Sequence, residues 1–150
     1  MQNKKTHYIA KIFIDILFVV SILAVVTIPL WSGPLFRDHY HYNDFQLYAM
    51  MVIMATTGAL AAAILFTLRG MYKTLVDGNP FVPKNVESFR RIAIICAVIA
   101  LIYVGKCFLV PSPATVIVVI VFIVGTLFCL TLKDLFAKAV YYKEENDYTV

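Results

Sequence analysis

Two histidines and two aspartates, Asp38, His39, His41 and Asp44, lie within a stretch of seven residues. Imidazole and carboxylate groups are ligands that zinc accepts in proteins, and in an extended strand the side chains of His39 and His41 would point to the same side. A structural zinc site needs four ligands in a defined geometry, which a His-x-His pair does not supply. We therefore expect no metal, with His39 and His41 as weak candidates for a metal or pH-sensing site. The favoured interpretation is anchoring of this aromatic segment at a membrane interface.

One carboxylate, Asp15, lies inside a long apolar run. An ionisable group in a membrane span costs free energy and is a functional candidate by default, here for proton coupling. At about 1.5 Å of rise per residue, Asp15 is only about 10 Å inside the membrane edge. This depth favours a structural ion pair instead. The candidate partners are Lys11, one turn earlier, and Arg69, Arg90 and Arg91.

The second intramembrane charge is Lys106, about 22 Å along the third apolar segment from Arg91. A bridge between Asp15 and Lys106 would have to span a depth difference of about 12 Å, which argues against it. We expect the Lys106 side chain to extend outward to the lipid headgroups.

No catalytic motif accompanies these residues. The chain contains no H-E-x-x-H, no G-x-S-x-G, no phosphate-binding loop and no dinucleotide fingerprint. Its three cysteines, Cys96, Cys107 and Cys129, lie in apolar runs without a C-x-x-C pair and are interpreted as small core residues. The sequence therefore predicts neither an enzyme nor a cofactor.

The composition determines the class of protein that must position these groups. Of 150 residues, 61% are hydrophobic and 15% are charged, and the mean hydropathy is +0.83. Soluble domains average about 45–50% apolar and about 25% charged residues. The chain lacks the polar groups to cover a water-facing surface, which excludes a soluble globular domain and a disordered chain.

Four apolar blocks are each long enough to cross a bilayer, which takes roughly 20 residues. We predict an all-α, polytopic membrane protein: one domain over 1–150, built as a four-transmembrane-helix bundle. The last helix is expected to continue into the cytoplasm to about Lys143, within a polar tail at 133–150. The first block has no small-x-small cleavage site and is predicted to be a retained helix, not a signal peptide. The spans are 8–31, 47–68, 92–110 and 114–132.

Lysine and arginine predict the orientation. With the N-terminus inside, eleven of them fall on inner segments, Arg37 alone on an outer loop, and Lys106 in the membrane. This bias predicts both termini in the cytoplasm. It also accounts for the formal net charge of +4 without direct nucleic-acid binding.

Small residues in the second span indicate how the helices pack. Ala55, Ala59 and Ala63 are spaced four apart, with Gly58 and Ala62 on a neighbouring strip. Such spacing lets helices approach closely in lipid. We favour packing within the bundle, and a homo-oligomer stays open.

The inner loop between the second and third spans contains the turn sequence Asp77-Gly-Asn-Pro. Asn85 is predicted to be the N-cap of the third helix, with Glu87 in its first turn. Phe81 is apolar in a polar loop and needs a partner. We expect it to dock on an apolar stripe of the last helix: Leu135, Phe136, Val140 and Tyr141.

The loop run from Leu75 to Ile92 and the end from Leu135 to Val150 resemble the hallmarks of the YoaS-like bacterial membrane proteins, a family with a domain of unknown function. The similar features are Gly-Asn-Pro-Phe with a following Asn and Arg, and the terminal Lys-Glu-Glu-Asn-Asp-x-Thr-Val. The resemblance implies four spans and no assigned reaction. It also implies a neighbouring gene for a Cro-type helix-turn-helix regulator, and hence a membrane partner for a cytoplasmic transcription regulator.

Such a role suits the acidic end of the chain, because a DNA-binding regulator must be basic. The loop and the tail would form one cytoplasmic surface. The alternative is that the two segments only dock on each other and close the bundle. The predicted partner-binding residues are Asn79, Pro80, Phe81, Glu144, Glu145, Asn146 and Asp147.

The competing class is a small proton-coupled transporter or exporter acting as an oligomer. Four spans and a carboxylate in the first helix are similar to those of small multidrug-resistance exporters. Against this, Asp15 lies near the membrane edge and the loops are longer than in those exporters.

Overall fold

The computed structural model describes the backbone of residues 4–149 and the side chains of residues 8–149 except that of His39. Four helices account for most of this range: α1 (Lys4–Pro34), α2 (Asp44–Val76), α3 (Pro83–Leu109) and α4 (Pro113–Tyr148). A π-helical turn, Leu35–His39, continues α1. Residues 4–149 contain no strand, and the predicted all-α class is confirmed.

Each helix contains an apolar window that satisfies the length and hydropathy of a membrane span. The mean hydropathies of the best windows are 2.7, 2.1, 2.6 and 2.9 in chain order. In lipid the backbone polar groups must be bonded within the segment, and a helix achieves this. The chain is therefore a multi-pass membrane protein.

The helices extend beyond the predicted spans because hydropathy marks only the part of a helix that lipid surrounds. The 36 residues of α4 measure about 54 Å, whereas the hydrocarbon core of a bilayer is about 30 Å thick. The expected end near Lys143 is wrong: the helix continues to Tyr148. The tail is thus a helix that projects about 24 Å beyond Leu132.

Prolines begin α3 and α4, at Pro83 and Pro113. Proline suits the first helical position because its φ is already helical and its missing N–H would have no partner there. The N-cap of α3 is Val82, so the predicted N-cap at Asn85 is wrong. Asn85 instead lies within the first turn. At the end of α2, Gly78 takes a φ of 80°, which glycine adopts without strain.

Consecutive helices pack against each other in antiparallel directions. The packing of α3 on α4 is the most extensive, followed by that of α1 on α2, and α2 meets α3 over a smaller area. The short Pro-x-Pro connection at Ser112 explains the α3–α4 hairpin. We call the end at which α1 begins and α4 ends the termini end, and the other end the distal end.

The burial pattern is that of a protein solvated by lipid. The centre of the bundle is one side of α3, where Ile92, Ala93, Cys96, Ile99 and Ala100 are buried. Large apolar side chains such as Leu30, Leu101 and Phe108 point outward. The apolar surface is therefore on the outside, as expected for helices in a bilayer.

Gly58 on α2 packs tightly against Val25 on α1. A Cβ atom built on Gly58 would lie 2.6 Å from Val25 Cγ2. The expected packing through small residues is thus found at Gly58, whereas Ala59 and Ala63 are exposed.

Candidate functional site

The distal end carries an ion pair and an aromatic cluster. Arg37 and Asp44 meet at 2.7 Å, and both are exposed. The Phe36 and Tyr42 rings stack with centroids 5.6 Å apart, and Tyr40 contacts both rings. The pair and the cluster hold the turn between α1 and α2.

The two histidines do not lie in an extended strand. His39 ends the π-helical turn, and His41 has a φ of 51°, because α1 continues as a helix past Pro34. Among the residues whose side chains are described, no group of three or more His, Cys, Asp and Glu side chains is arranged to hold a metal ion. The side chain of His39 lies outside that description.

Lys106 makes a contact that the sequence did not predict. Its Nζ donates a hydrogen bond to Thr115 Oγ1 at 2.6 Å and lies 6.0 Å from the centroid of the Tyr103 ring. Thr115 is buried in the first turn of α4. The ammonium group joins the distal ends of α3 and α4.

Asp15 pairs with Arg69, one of the predicted partners. Arg69 Nε lies 2.6 Å from Asp15 Oδ1, and the predicted ion pair is confirmed. Asp15 Oδ1 is buried and accepts no hydrogen bond of ordinary geometry from the described residues. The pair joins α1 to the C-terminal part of α2. It lies towards the termini end of the bundle, whereas Lys106 lies at the distal end.

Asn85 connects α3 to the loop and to α2. The residue is 3% exposed, and its Nδ2 donates to Thr74 Oγ1 at 2.8 Å and to the Pro80 carbonyl at 2.7 Å. A carbonyl can only accept, so these bonds identify which side-chain atom is the nitrogen. Nothing in the local sequence indicates the contact with Thr74, because it joins residues on different helices.

Three phenylalanines join the loop to α4. The Phe136 ring lies 5.5 Å from the Phe81 ring and 4.8 Å from the Phe89 ring, centroid to centroid. We call Phe81, Phe89 and Phe136 the aromatic hub. Phe81 is still 43% exposed, so its burial is incomplete, and the partner Phe89 was not predicted.

The predicted docking of Phe81 on α4 is confirmed at Phe136. Of the other residues in the predicted stripe, Val140 is buried, whereas Leu135 and Tyr141 are exposed. Farther along α4, Lys143 Nζ donates a hydrogen bond to Asn79 Oδ1. The loop and the projecting part of α4 therefore form one surface, as predicted.

The acidic end of the chain lies on the last turns of α4. Glu144, Glu145, Asn146 and Asp147 are all exposed, and Thr149 Oγ1 donates to the Glu145 carbonyl. None of the three carboxylates forms an ion pair with any side chain that the structure describes. The negative charges are thus presented on α4 itself, and not on a polar tail that begins after Lys143.

Comparison with known proteins gives one match. A family described as "Protein of unknown function (DUF2975)" matches residues 11–150. Comparison with curated proteins and with solved structures gives no match. The matched region includes most of the first span, the other three spans, the inner loop and the acidic end.

Proposed function

This chain belongs to the DUF2975 family, whose function is unknown, and on that premise we propose that it is a membrane-tethered regulatory partner. In this proposal it holds a basic, cytoplasmic helix-turn-helix transcription regulator at the bacterial inner membrane. The narrower resemblance to the YoaS-like proteins supports the choice of partner. The observation that supports it is the exposed acidic end of α4, which continues the helix that contacts the loop through the aromatic hub.

The proposal needs the termini end to face the cytoplasm. Eleven of the thirteen lysines and arginines belong to segments at that end, and Arg37 is the one on the connection between α1 and α2. Positive residues are retained on the cytoplasmic side during insertion. Both termini, the inner loop and the acidic end would then face the soluble proteins of the cell.

This orientation is tested by labelling single cysteines from outside intact cells, in a variant without the native Cys96, Cys107 and Cys129. A membrane-impermeant maleimide should label a cysteine placed at Asp38. It should leave cysteines at Lys84 and Thr149 unlabelled until the membrane is permeabilised. Labelling of Lys84 or Thr149 in intact cells would contradict the orientation.

Electrostatics supports a basic partner. Three carboxylates in four residues attract a protein whose cationic surface evolved to meet phosphates. The charges are exposed, so their attraction is screened over about 8 Å at physiological salt. Binding should therefore weaken as salt rises, and the acidic end would compete with DNA for the same basic surface.

Reversing the three charges is expected to abolish recruitment. The variant Glu144→Lys/Glu145→Lys/Asp147→Lys should bind a purified helix-turn-helix regulator from the same cell at least tenfold more weakly. The binding is measured by fluorescence anisotropy on the protein in nanodiscs. The physical reason is that attraction becomes repulsion at the contact itself.

Two control variants separate charge from structure. Asp77→Lys/Asp134→Lys reverses two other exposed carboxylates near the termini end and should retain binding. Phe136→Ala should weaken binding by loosening the seat of α4 while leaving its charges intact. If the triple variant inserts normally and keeps full affinity, the tail serves only to close the bundle and the proposal is wrong.

The transport alternative finds less support. Its carboxylate, Asp15, is paired with Arg69 and lies near the termini end of the bundle, away from the middle of the span. A substrate-dependent proton flux in liposomes that disappears in Asp15→Asn would favour transport over tethering.

A further inference from the structure

A cavity lies where the termini end of α2, the inner loop, α3 and α4 meet. Its volume is about 260 Å³, and it is open on one side. The walls are mainly apolar, and two members of the aromatic hub form part of them. The principal lining residues are Met71, Tyr72, Leu75, Asn85, Phe89 and Phe136.

Asn85 contributes a free hydrogen-bond acceptor to this cavity. Its Nδ2 is used twice, by Thr74 and Pro80. Of the side chains and backbone described, none donates a hydrogen bond to its Oδ1. The residue as a whole is 3% exposed, but Oδ1 is not one of the described atoms that are both fully buried and unpaired, so a molecule in the cavity can reach it. A hydrogen-bond donor on a ligand would pair with this oxygen in mainly apolar surroundings, where such a bond is strong.

We propose that this cavity binds a small, largely apolar molecule that carries one hydrogen-bond donor. The donor bonds Asn85 Oδ1, and the body of the molecule packs against Phe89 and Phe136. A dry apolar cavity of about 150 Å³ accommodates benzene, so this larger one has room for a bicyclic ring. Water is a poorer occupant, because a buried water needs about three polar partners and the walls are mainly apolar.

The location gives the ligand a consequence beyond binding. A molecule packed on Phe89 and Phe136 contacts the residues that seat the projecting part of α4. A bound molecule would stiffen the contacts between the aromatic hub and α4, and would change the position of the acidic end. This regulatory consequence rests on the proposed function, whereas the binding site itself does not.

Indole is a suitable probe, because it is a bicyclic molecule with a single N–H donor and no conventional acceptor. It should bind the protein in nanodiscs saturably, with a stoichiometry of one, by isothermal titration calorimetry. The matched probe 1-methylindole has the same ring system without the donor. It should bind about tenfold more weakly, the difference that one hydrogen bond of roughly 1.4 kcal/mol makes.

Variants with larger side chains in the cavity provide a second test of the site. Leu75→Trp should remove indole binding, whereas Val52→Trp, on an exposed position of the same helix, should retain it and report partitioning into lipid. Met71→Phe serves as a milder filling variant if Leu75→Trp does not fold. Equal affinity for indole and 1-methylindole would overturn the assignment of Asn85. Unchanged binding to the filled variants would overturn the site.

The indole titrations are carried out without the regulator protein. Failure of indole to bind would therefore leave the tethering proposal standing. Conversely, full regulator binding by the charge-reversed variant would leave the cavity assignment standing.

Discussion

Alanine at Gly58 is expected to lower the free energy of unfolding by about 1–3 kcal/mol. The new Cβ would lie 2.6 Å from Val25 Cγ2, whereas carbon atoms in contact are about 3.5–4.0 Å apart. Val25 is β-branched and has one strongly preferred rotamer in a helix, so it cannot turn aside without strain. The helices α1 and α2 would separate instead and lose the close packing that stabilises helix pairs in lipid.

The measurement is reversible unfolding in mixed micelles, with two comparisons. Gly105→Ala places a Cβ where no atom lies within 4 Å, and the helix propensity of alanine should make it neutral or stabilising by up to about 1 kcal/mol. Val25→Ala combined with Gly58→Ala should recover part of the loss, because it removes the opposing methyl groups. A Gly58→Ala variant as stable as the wild type would show that this contact does not hold α1 against α2.

Replacing Arg69 of the Asp15–Arg69 pair is expected to lower the free energy of unfolding more than replacing Asp15. In Arg69→Gln the short carboxylate side chain, 32% exposed with its Oδ1 buried, stays inside a span without its cation. We expect a loss of about 1–3 kcal/mol in the free energy of unfolding. In Asp15→Asn the remaining guanidinium is about half exposed and long enough to reach the headgroups, so the loss should be below about 1 kcal/mol.

A double-mutant cycle isolates the pair. Asp15→Asn/Arg69→Gln should be more stable than Arg69→Gln alone, because it leaves no uncompensated charge. Arg90→Gln is the matched control, since Arg90 contacts Glu87 at 3.8 Å on an exposed surface and such pairs contribute little. Equal losses for Arg69→Gln and Asp15→Asn would contradict the asymmetry.

Several features of the site could be predicted from the sequence because they depend on depth along one axis. The rise of a helix placed Asp15 near the membrane edge, and few cations can reach that level. Phe81, an apolar residue in a polar loop, needed an apolar partner on the nearby last helix. The choice of Arg69 over Lys11, and of Phe89 as a second ring beside Phe136, required knowing which sides of the helices face each other.

The incorrect predictions have separate physical causes. Hydropathy measures contact with lipid, so it cannot report where a helix continues into water, as α4 does to Tyr148. An asparagine after a proline turn has the properties of an N-cap, but Asn85 finds better partners in Thr74 and Pro80.

The sequence by itself determined the class, the number of spans and their alternation. A bilayer requires about 20 apolar residues per crossing and leaves the backbone little choice but a helix. The tertiary structure decided the site: the aromatic hub, the side-chain oxygen of Asn85 and the cavity that they line join residues from α2, α3 and α4. Packing between helices in lipid depends on shape and on individual hydrogen bonds, and these depend on side-chain positions that composition and periodicity do not encode.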